Sequence, residues 1–385
     1  MSRWTGRAAR IAAPVVASAT AAGLLAASGV AGASPSRGQH PAFEGHGARQ
    51  GGPAQGSASG LAVSVLATGT TAMHGPDDIT LLGGHLFVGF QNGVGPKGQA
   101  SSSGATTSTV QEYTRSGHPL GSWTLTGHVD GLTADRAHHR LVATVNEDGN
   151  SSLYTITPTA APGEQLDHFS YNRNPLPHGG GTDAVSFVGG RMLLSASSPT
   201  GAGGPAVYAA RLSGGTAHLT PVFSDHATAT VANAGPTAGH AQKLDLTDPD
   251  SNEVVPQASP RFAGDFVLDS QGDKEQVYVD DPGSAHPELS VLHLSHAIND
   301  TAWATARRGT LYITENKNNK VLALRGRFRP GTAYVAVTPN SGAPGYLGVL
   351  NLSTGAIRPV LSGIHPEGMI FVPSHRHGSS ASHHA

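Results

Sequence analysis

Asn299-Asp300-Thr301-Ala302-Trp303-Ala304-Thr305-Ala306-Arg307-Arg308-Gly309-Thr310-Leu311-Tyr312-Ile313-Thr314-Glu315-Asn316 is the stretch from which the rest of the chain is read. A polar residue and an acid open it, a short strand-like run follows, a turn containing Gly309 comes next, and a β-rich run closes in polar residues. The same order recurs at Asp78-Ile79-Thr80-Leu81 with Leu86-Phe87-Val88-Gly89-Phe90, and at Asp130-Gly131-Leu132-Thr133 with Leu141-Val142-Ala143-Thr144-Val145. It returns from Asp183, less regularly from Asp250, and in truncated form from Glu367. Asp78 to Asp130 and Asp130 to Asp183 are 52 and 53 residues apart, and the later intervals are uneven. A unit of about fifty residues holding several short strands is the sequence pattern of a propeller blade.

The expected fold is therefore all-β: a single β-propeller of six four-stranded blades over residues 61–373, closed by strands from both ends of the chain. Seven blades is the runner-up, if the strands between Ala333 and Val360 form a unit of their own, and a β-sandwich of repeated hairpins is the structural alternative. Glu367 to Val372 has no following strand, so it is expected to share a blade with Leu61 to Leu66. Between Val222 and Leu246 the repeat loosens, which reads as an insertion before the fourth blade.

Composition agrees with many turns and few helices: 51 Gly and 26 Pro stand in 385 residues, with only 5% aromatic and 13% charged residues. A formal charge of -2 offers no basic field for a nucleic-acid backbone, so nucleic acid is excluded as a partner. Without a single Cys there is neither a disulfide framework, nor a thiolate metal site, nor a cysteine nucleophile. At the N-terminus Arg3, Arg7 and Arg10 precede a small-apolar run from Ile11 to Val30, and Ala31-Gly32-Ala33 is an A-x-A cleavage site. Residues 1–33 are thus expected to be an export signal cleaved after Ala33, giving a secreted, monomeric chain with no membrane span once mature. Residues 34–60 read as a flexible Gly/Ser/Pro-rich tether, and 374–385 as a short His-rich tail.

The fifth unit, with Asn299, Gly309-Thr310-Leu311-Tyr312-Ile313-Thr314-Glu315 and Asn318-Asn319-Lys320-Val321, resembles an NHL repeat and the matching blade of gluconolactonase and regucalcin-like propellers. His365-Pro366-Glu367-Gly368-Met369 resembles the Pro-Asp-Gly-Met stretch of that superfamily, with Glu in place of Asp. The resemblance implies a divalent cation on the propeller axis, Asn299 at the family Asn, Glu367 at the family Asp, and Asp77 or Asp78 at the first-blade acid. It also implies a possible lactonase-like reaction.

The residues themselves leave two readings of the repeated acids. Inner strands enter near a propeller's axis, so Asp78, Asp130, Asp183, Asp250, Asn299 and Glu367 can present oxygen ligands around one mouth of the channel, suited to Ca²⁺ or another divalent cation. Alternatively each acid accepts hydrogen bonds from the backbone of its own turn. His74, His128, His178, His296 and His365 lie just before five of the acids and add candidate bases or ligands. Asp245, Asp248, Asp250, Asn252 and Glu253 form the densest oxygen cluster, a loose calcium-loop pattern interrupted by Pro249. No nucleophile elbow, zincin, P-loop or dinucleotide motif occurs. Two functions follow as expectations: an exported propeller that binds an extracellular glycan, small molecule or protein at one face, with a cation on its axis; or a divalent-metal-dependent lactonase-like hydrolase in which Asp300 or Glu367 handles the proton.

Overall fold

A computed structural model describes residues 60–200, 203–340 and 343–374. The segments expected to be the export signal and the His-rich tail, and most of the expected tether, lie outside them. Every helix-or-strand element among the described residues is a β-strand. The strands order themselves into six antiparallel units of four, arranged as a β-propeller whose inner strands are Pro76–Leu82, Val129–Asp135, Val185–Val188, Pro249–Val254, Ile298–Trp303 and Pro366–Pro373. The outermost strands of the second and third units touch in parallel, Thr216 opposite Ser170 and Ala217 opposite Tyr171, which joins these units into one eight-stranded sheet. The loosened stretch before the fourth unit supplies two short strands, Thr228–Val231 and Ala241–Lys243, added to that unit's outer edge.

The middle strands show why the sequence carries apolar runs rather than alternation. In Arg140–Val145, Leu141, Ala143 and Val145 face the core shared with the first unit, while Val142 faces the core shared with the third. Leu86, Val88 and Phe90 pack toward the sixth unit, and Phe87 between them packs toward the second. Strands covered on both faces read as nearly continuous hydrophobic sequence. Six such cores, one between each pair of neighbours around the ring, hold the molecule together. Each fully buried Phe or Leu contributes about 1.5–3 kcal/mol, so the side chains on any one seam outweigh a single lost hydrogen bond.

The stretch Asn299 to Asn316, read from sequence as one repeat, is divided between two units. Ala302 pairs with Tyr334 in the fifth, whereas Leu311 pairs with Leu324 and Phe371 in the sixth. The chain makes the inner strand of the fifth unit and crosses to build Arg308–Glu315 and Lys320–Arg327 of the sixth. It then returns for Ala333–Val337, Tyr346–Leu350 and Ile357–Ser362, and ends on the sixth unit's inner strand. The strands from Ala333 to Ser362 therefore complete the fifth unit. Both halves of the quoted stretch face the same core, which holds Ala302, Ala304, Leu311, Ile313, Tyr334 and Phe371, so hydrophobic pattern could not separate them. Ala62–Thr68 pairs along Lys320–Arg327, and N- and C-terminal strands close the same sheet, as expected.

Near the axis the units are tied by side chains. Asp78 accepts from the backbone N–H of Leu132 in the second unit at 2.6 Å, and Asp300 accepts from that of Met369 in the sixth at 2.6 Å. Each also takes the next N–H of its own strand, Ile79 and Thr301. Thr144 donates to the Asp183 carbonyl at 2.5 Å, Asn252 to the Ala184 carbonyl at 2.9 Å, Thr301 to Asp269 at 2.9 Å, and Thr314 to the Asp77 carbonyl. Replacing Asp300 with Ala leaves two interior N–H groups without their acceptor. The expected loss is about 2–4 kcal/mol, read as a lower denaturant midpoint at unchanged slope. A midpoint equal to wild type would refute this role.

Candidate functional site: an acidic ring on the propeller axis

Five of the six inner strands carry an irregularity at the same place, whereas the third, Val185–Val188, pairs in regular register and its acid, Asp183, comes just before it. Pro76 pairs with Phe90 and Ile79 with Val88, leaving Asp77 and Asp78 unopposed; Val129 and Leu132 bracket Asp130 and Gly131 in the same way. Pro249 and Asn252 bracket Asp250 and Ser251, Ile298 and Asp300 bracket Asn299, and Met369 and Pro366 bracket Gly368 and Glu367. A bulge re-aims the extra side chain. In these five units it turns a polar residue toward the axis, and together with Asp183 of the third unit Asp77, Asp130, Asp250, Asn299 and Glu367 line a central cavity of about 490 Å³. The position after it must stay small or bond sideways. A Cβ on Gly368 would stand 2.7 Å from the Asp78 Cα, and one on Gly131 2.5 Å from the Asp183 carbonyl oxygen.

The register corrects the sequence reading at one unit and divides it at another. In the first unit the axial acid is Asp77, because Asp78 occupies the sideways position and spends both oxygens on Ile79 and Leu132. In the fifth it is Asn299, while Asp300, expected as a proton carrier, spends both oxygens on Thr301 and Met369. Asp130, Asp183, Asp250, Asn299 and Glu367 come together as expected. Asn299 donates to Glu367 and to the Pro366 carbonyl at 3.2 Å, and Gln271 donates to both Asp250, at 2.7 Å, and Asn299. Gln91 donates to Asp130 at 3.1 Å. The other carboxylate oxygen of Asp130 is buried and has no hydrogen-bond partner.

Around the ring stand Glu147, Asp248, Glu253 and His128, and among the described residues no Lys or Arg lines the cavity. Of the oxygen cluster read as a calcium loop, Asp248, Asp250, Asn252 and Glu253 line the cavity, Asn252 also donating to the Ala184 carbonyl of the third unit, whereas Asp245 pairs with His226 at the surface. Of the five candidate histidines only His128 lines the cavity. His178 is fixed in the core between the Tyr208 hydroxyl and the Gly181 carbonyl, 2.7 Å from each, and His296 lies edge-on to Tyr346. Glu147, Gln91 and Gln271 were not singled out from sequence. Their signal was the polar closure of each second strand, at Phe90-Gln91, Val145-Asn146-Glu147 and Ser270-Gln271, where that strand runs out at the cavity.

Crowding of like charges in a dry funnel raises the acids' proton affinity. Burial pushes Asp183 up to about 6 and Glu367 up to about 8. Asp77 is raised well above the usual range by burial and then by Asp130 and Glu367, and Asp130 by burial and then by Asp183. Burial raises Asp250 likewise, with the Asp183 charge beside it adding to the effect. Such a donor set fits a hard divalent cation, since oxygen ligands and unbalanced negative charge are what Ca²⁺ and Mg²⁺ require. Asp77, Asn299 and Glu367 are the residues at the positions the family resemblance implies, and the unpartnered Asp130 oxygen adds a free donor.

Compared with family models the sequence matches none, and no curated protein matches it. Similar solved structures include a protein of unknown function from Bacteroides caccae, at 10% identity and TM-score 0.42, covering 78% of this chain and 87% of that one. The periplasmic gluconolactonase PpgL of Pseudomonas aeruginosa is similar at 12% identity and TM-score 0.41, covering 77% of this chain and 88% of its own. Virginiamycin B lyase from Staphylococcus aureus is similar at 9% identity and TM-score 0.37, with 79% and 98% covered. A gluconolactonase is thus among the structures this chain is similar to, and at these identities the likeness concerns the fold alone.

The raised acids set the sign of a pH effect. Unfolded carboxyls lose their protons near pH 4, whereas Asp183, Asp78 and Glu367 hold theirs in the fold up to about 6, about 7 and about 8. Between these limits the folded state binds more protons than the unfolded one, so stability falls as pH rises. In chelating buffer the melting temperature is expected to drop by several degrees from pH 5 to pH 8. A flat or rising profile contradicts the crowded-acid description.

Proposed function

We propose that this protein is an exported β-propeller that captures a divalent cation on its axial ring and uses it to bind a small oxygen-rich ligand, such as a sugar or a carboxylated metabolite, at the open mouth of the cavity. The observation that carries the reading is the ring itself: one polar oxygen-bearing side chain per unit, placed in five of the six by a bulge in the inner strand, with no Lys or Arg lining the cavity among the described residues. Maintaining such a cluster costs electrostatic energy that a cation offsets. The cation would supply positive charge to an otherwise repulsive funnel, drawing hydroxyl, carbonyl or carboxylate groups to it. A cavity of about 490 Å³ falls in the size range of small-molecule sites. Export is supported by the basic and small-apolar N-terminal segment ending at Ala33.

Binding is favoured over lactone hydrolysis by the fate of two acids. Hydrolysis as read from sequence places Asp78 beside the cation and uses Asp300 or Glu367 to carry the proton. Asp78 and Asp300 spend their oxygens on backbone N–H groups instead. Both candidate proton carriers line the cavity, and of the two Glu367 meets the Asn299 side chain rather than backbone donors.

Addition of Ca²⁺, Mg²⁺ or Mn²⁺ to chelated protein is expected to raise the melting temperature, by roughly 2.7 kcal/mol of stabilisation at a hundred times the dissociation constant. Glu367→Gln and Asp77→Asn should weaken that response at least tenfold in cation concentration, while Asp78→Asn lowers the baseline stability and keeps the response. Absence of stabilisation by all three ions would overturn the proposal.

A further inference from the structure

One corner of the cavity has a chemistry that the oxygen ring does not share. His128, buried at 8% exposure, stands at the entry to the second unit with its backbone N–H on the Asn146 side-chain oxygen at 2.9 Å. Its ring Nδ1 contacts the backbone carbonyl of Val94, and a carbonyl can only accept, so Nδ1 carries a proton. The opposite nitrogen, Nε2, then points at two carboxylates: Asp130 Oδ1 at 3.1 Å and Glu147 Oε1 at 4.0 Å. One ligand atom from each of the three residues lies within 4.8 Å of the others. Asp130 is 5% exposed, and its second oxygen is buried without any partner.

We propose that His128, Asp130 and Glu147 form a mixed nitrogen and oxygen site for a borderline transition metal, Zn²⁺ or a similar ion such as Co²⁺, distinct in selectivity from the hard-cation ring. The backbone carbonyl behind Nδ1 is the arrangement that fixes a metal-binding imidazole: it sets the tautomer and aims the Nε2 lone pair. Imidazole with carboxylate suits Zn²⁺ and its neighbours, while Ca²⁺ and Mg²⁺ take oxygen almost exclusively. A protonated His128 would satisfy only one oxygen of Asp130 and leave the other buried and unpaired. A metal ion answers His128, Asp130 and Glu147 together. Three protein ligands leave a place open to solvent or to a bound ligand, the pattern of zinc sites that act on what they bind rather than hold a fold. Asp130 belongs to both the ring and this corner, whereas Asn299 and Glu367 belong to the ring alone.

The test is cobalt titration of the full chain after chelation, read by visible absorption, which reports coordination directly and needs no assay of activity. One Co²⁺ per chain with a four- or five-coordinate spectrum is expected, displaced stoichiometrically by Zn²⁺ and retained in millimolar Ca²⁺. His128→Ala should weaken binding at least a hundredfold. Glu147→Ala, at a partly exposed side chain that the fold tolerates, should weaken it at least tenfold. His226→Ala, at the surface, serves as the control for metal held by other histidines and should leave the spectrum unchanged. Unchanged cobalt affinity in folded Glu147→Ala and His128→Ala protein, or displacement of cobalt by calcium at equal concentration, overturns the assignment. Calcium-induced stabilisation read on the same samples separates the two proposals: its failure with the cobalt spectrum intact counts against the ring alone.

Discussion

Six inner strands converge on one axis, and where they meet each must bond to its neighbour through something other than a β-ladder. Sheets in a propeller face one another, so among the described residues no β-ladder joins one unit to the next near the centre, and backbone contact there is limited to isolated bonds such as Asp148 N–H to the Pro96 carbonyl at 3.1 Å. The structure answers with side chains that reach the neighbouring backbone. Asp78 and Asp300 tie the first unit to the second and the fifth to the sixth by accepting N–H groups. Thr144 and Thr314, on second strands, tie the second to the third and the sixth to the first by donating to carbonyls. Asn252 and the pair Thr301 and Asp269 complete the circuit. Because Asp is short and its two oxygens diverge, one residue serves its own strand and the next together.

This stitching decides where charge can go. A bulge turns neighbouring residues opposite ways, one sideways into the stitch and one toward the axis. Acids at the sideways position are consumed by backbone donors, as Asp78 and Asp300 are. Acids at the axial position meet side chains rather than backbone donors: Asp130 accepts from Gln91 and stands beside His128, Asp250 accepts from Gln271, and Glu367 from Asn299. Neutral amides cannot cancel the charge of several carboxylates. The remaining repulsion is carried by the six apolar seams around the ring, and it is the same repulsion that makes the centre receptive to a cation. Stability and binding are therefore drawn from opposite ends of the same strands.

Much of the architecture was legible in the chain because a repeat of about fifty residues with apolar second strands has few other solutions. The acids read as openings of units two, three, four and six, Asp130, Asp183, Asp250 and Glu367, line the cavity. What was not legible is local. Alternation in a strand flips every side chain with a slip of one residue, and the bulge introduces that slip at the acids themselves, so Asp77 and Asp78 could not be ranked from their order in the sequence. The exchange of strands between the fifth and sixth units was hidden for another reason. Residues 302 and 311 face one shared core, and a short link such as Ala304 to Arg307 serves a hairpin and a crossing equally well. Glu147 and Gln271 lie beyond the ends of their strands, where periodicity carries no signal.

The strand exchange gives the last two units a property that the other four lack. Elsewhere a unit is one contiguous segment and can form before its neighbours. The fifth and sixth interleave in sequence, and the sixth also requires Ala62–Thr68 from the other end of the described chain. Contacts between residues so far apart must be made after the intervening loops have lost their freedom. Asn299 and Glu367, the two ring members joined by a direct hydrogen bond, stand on the inner strands of these two units. The ring is thus complete only when the propeller is closed, and the pair with the strongest resemblance to a cation site is the last part of it that the topology permits to assemble. A cation that bridges them would hold the closure as well as occupy the site, which places ligand binding and the integrity of the ring on the same few atoms.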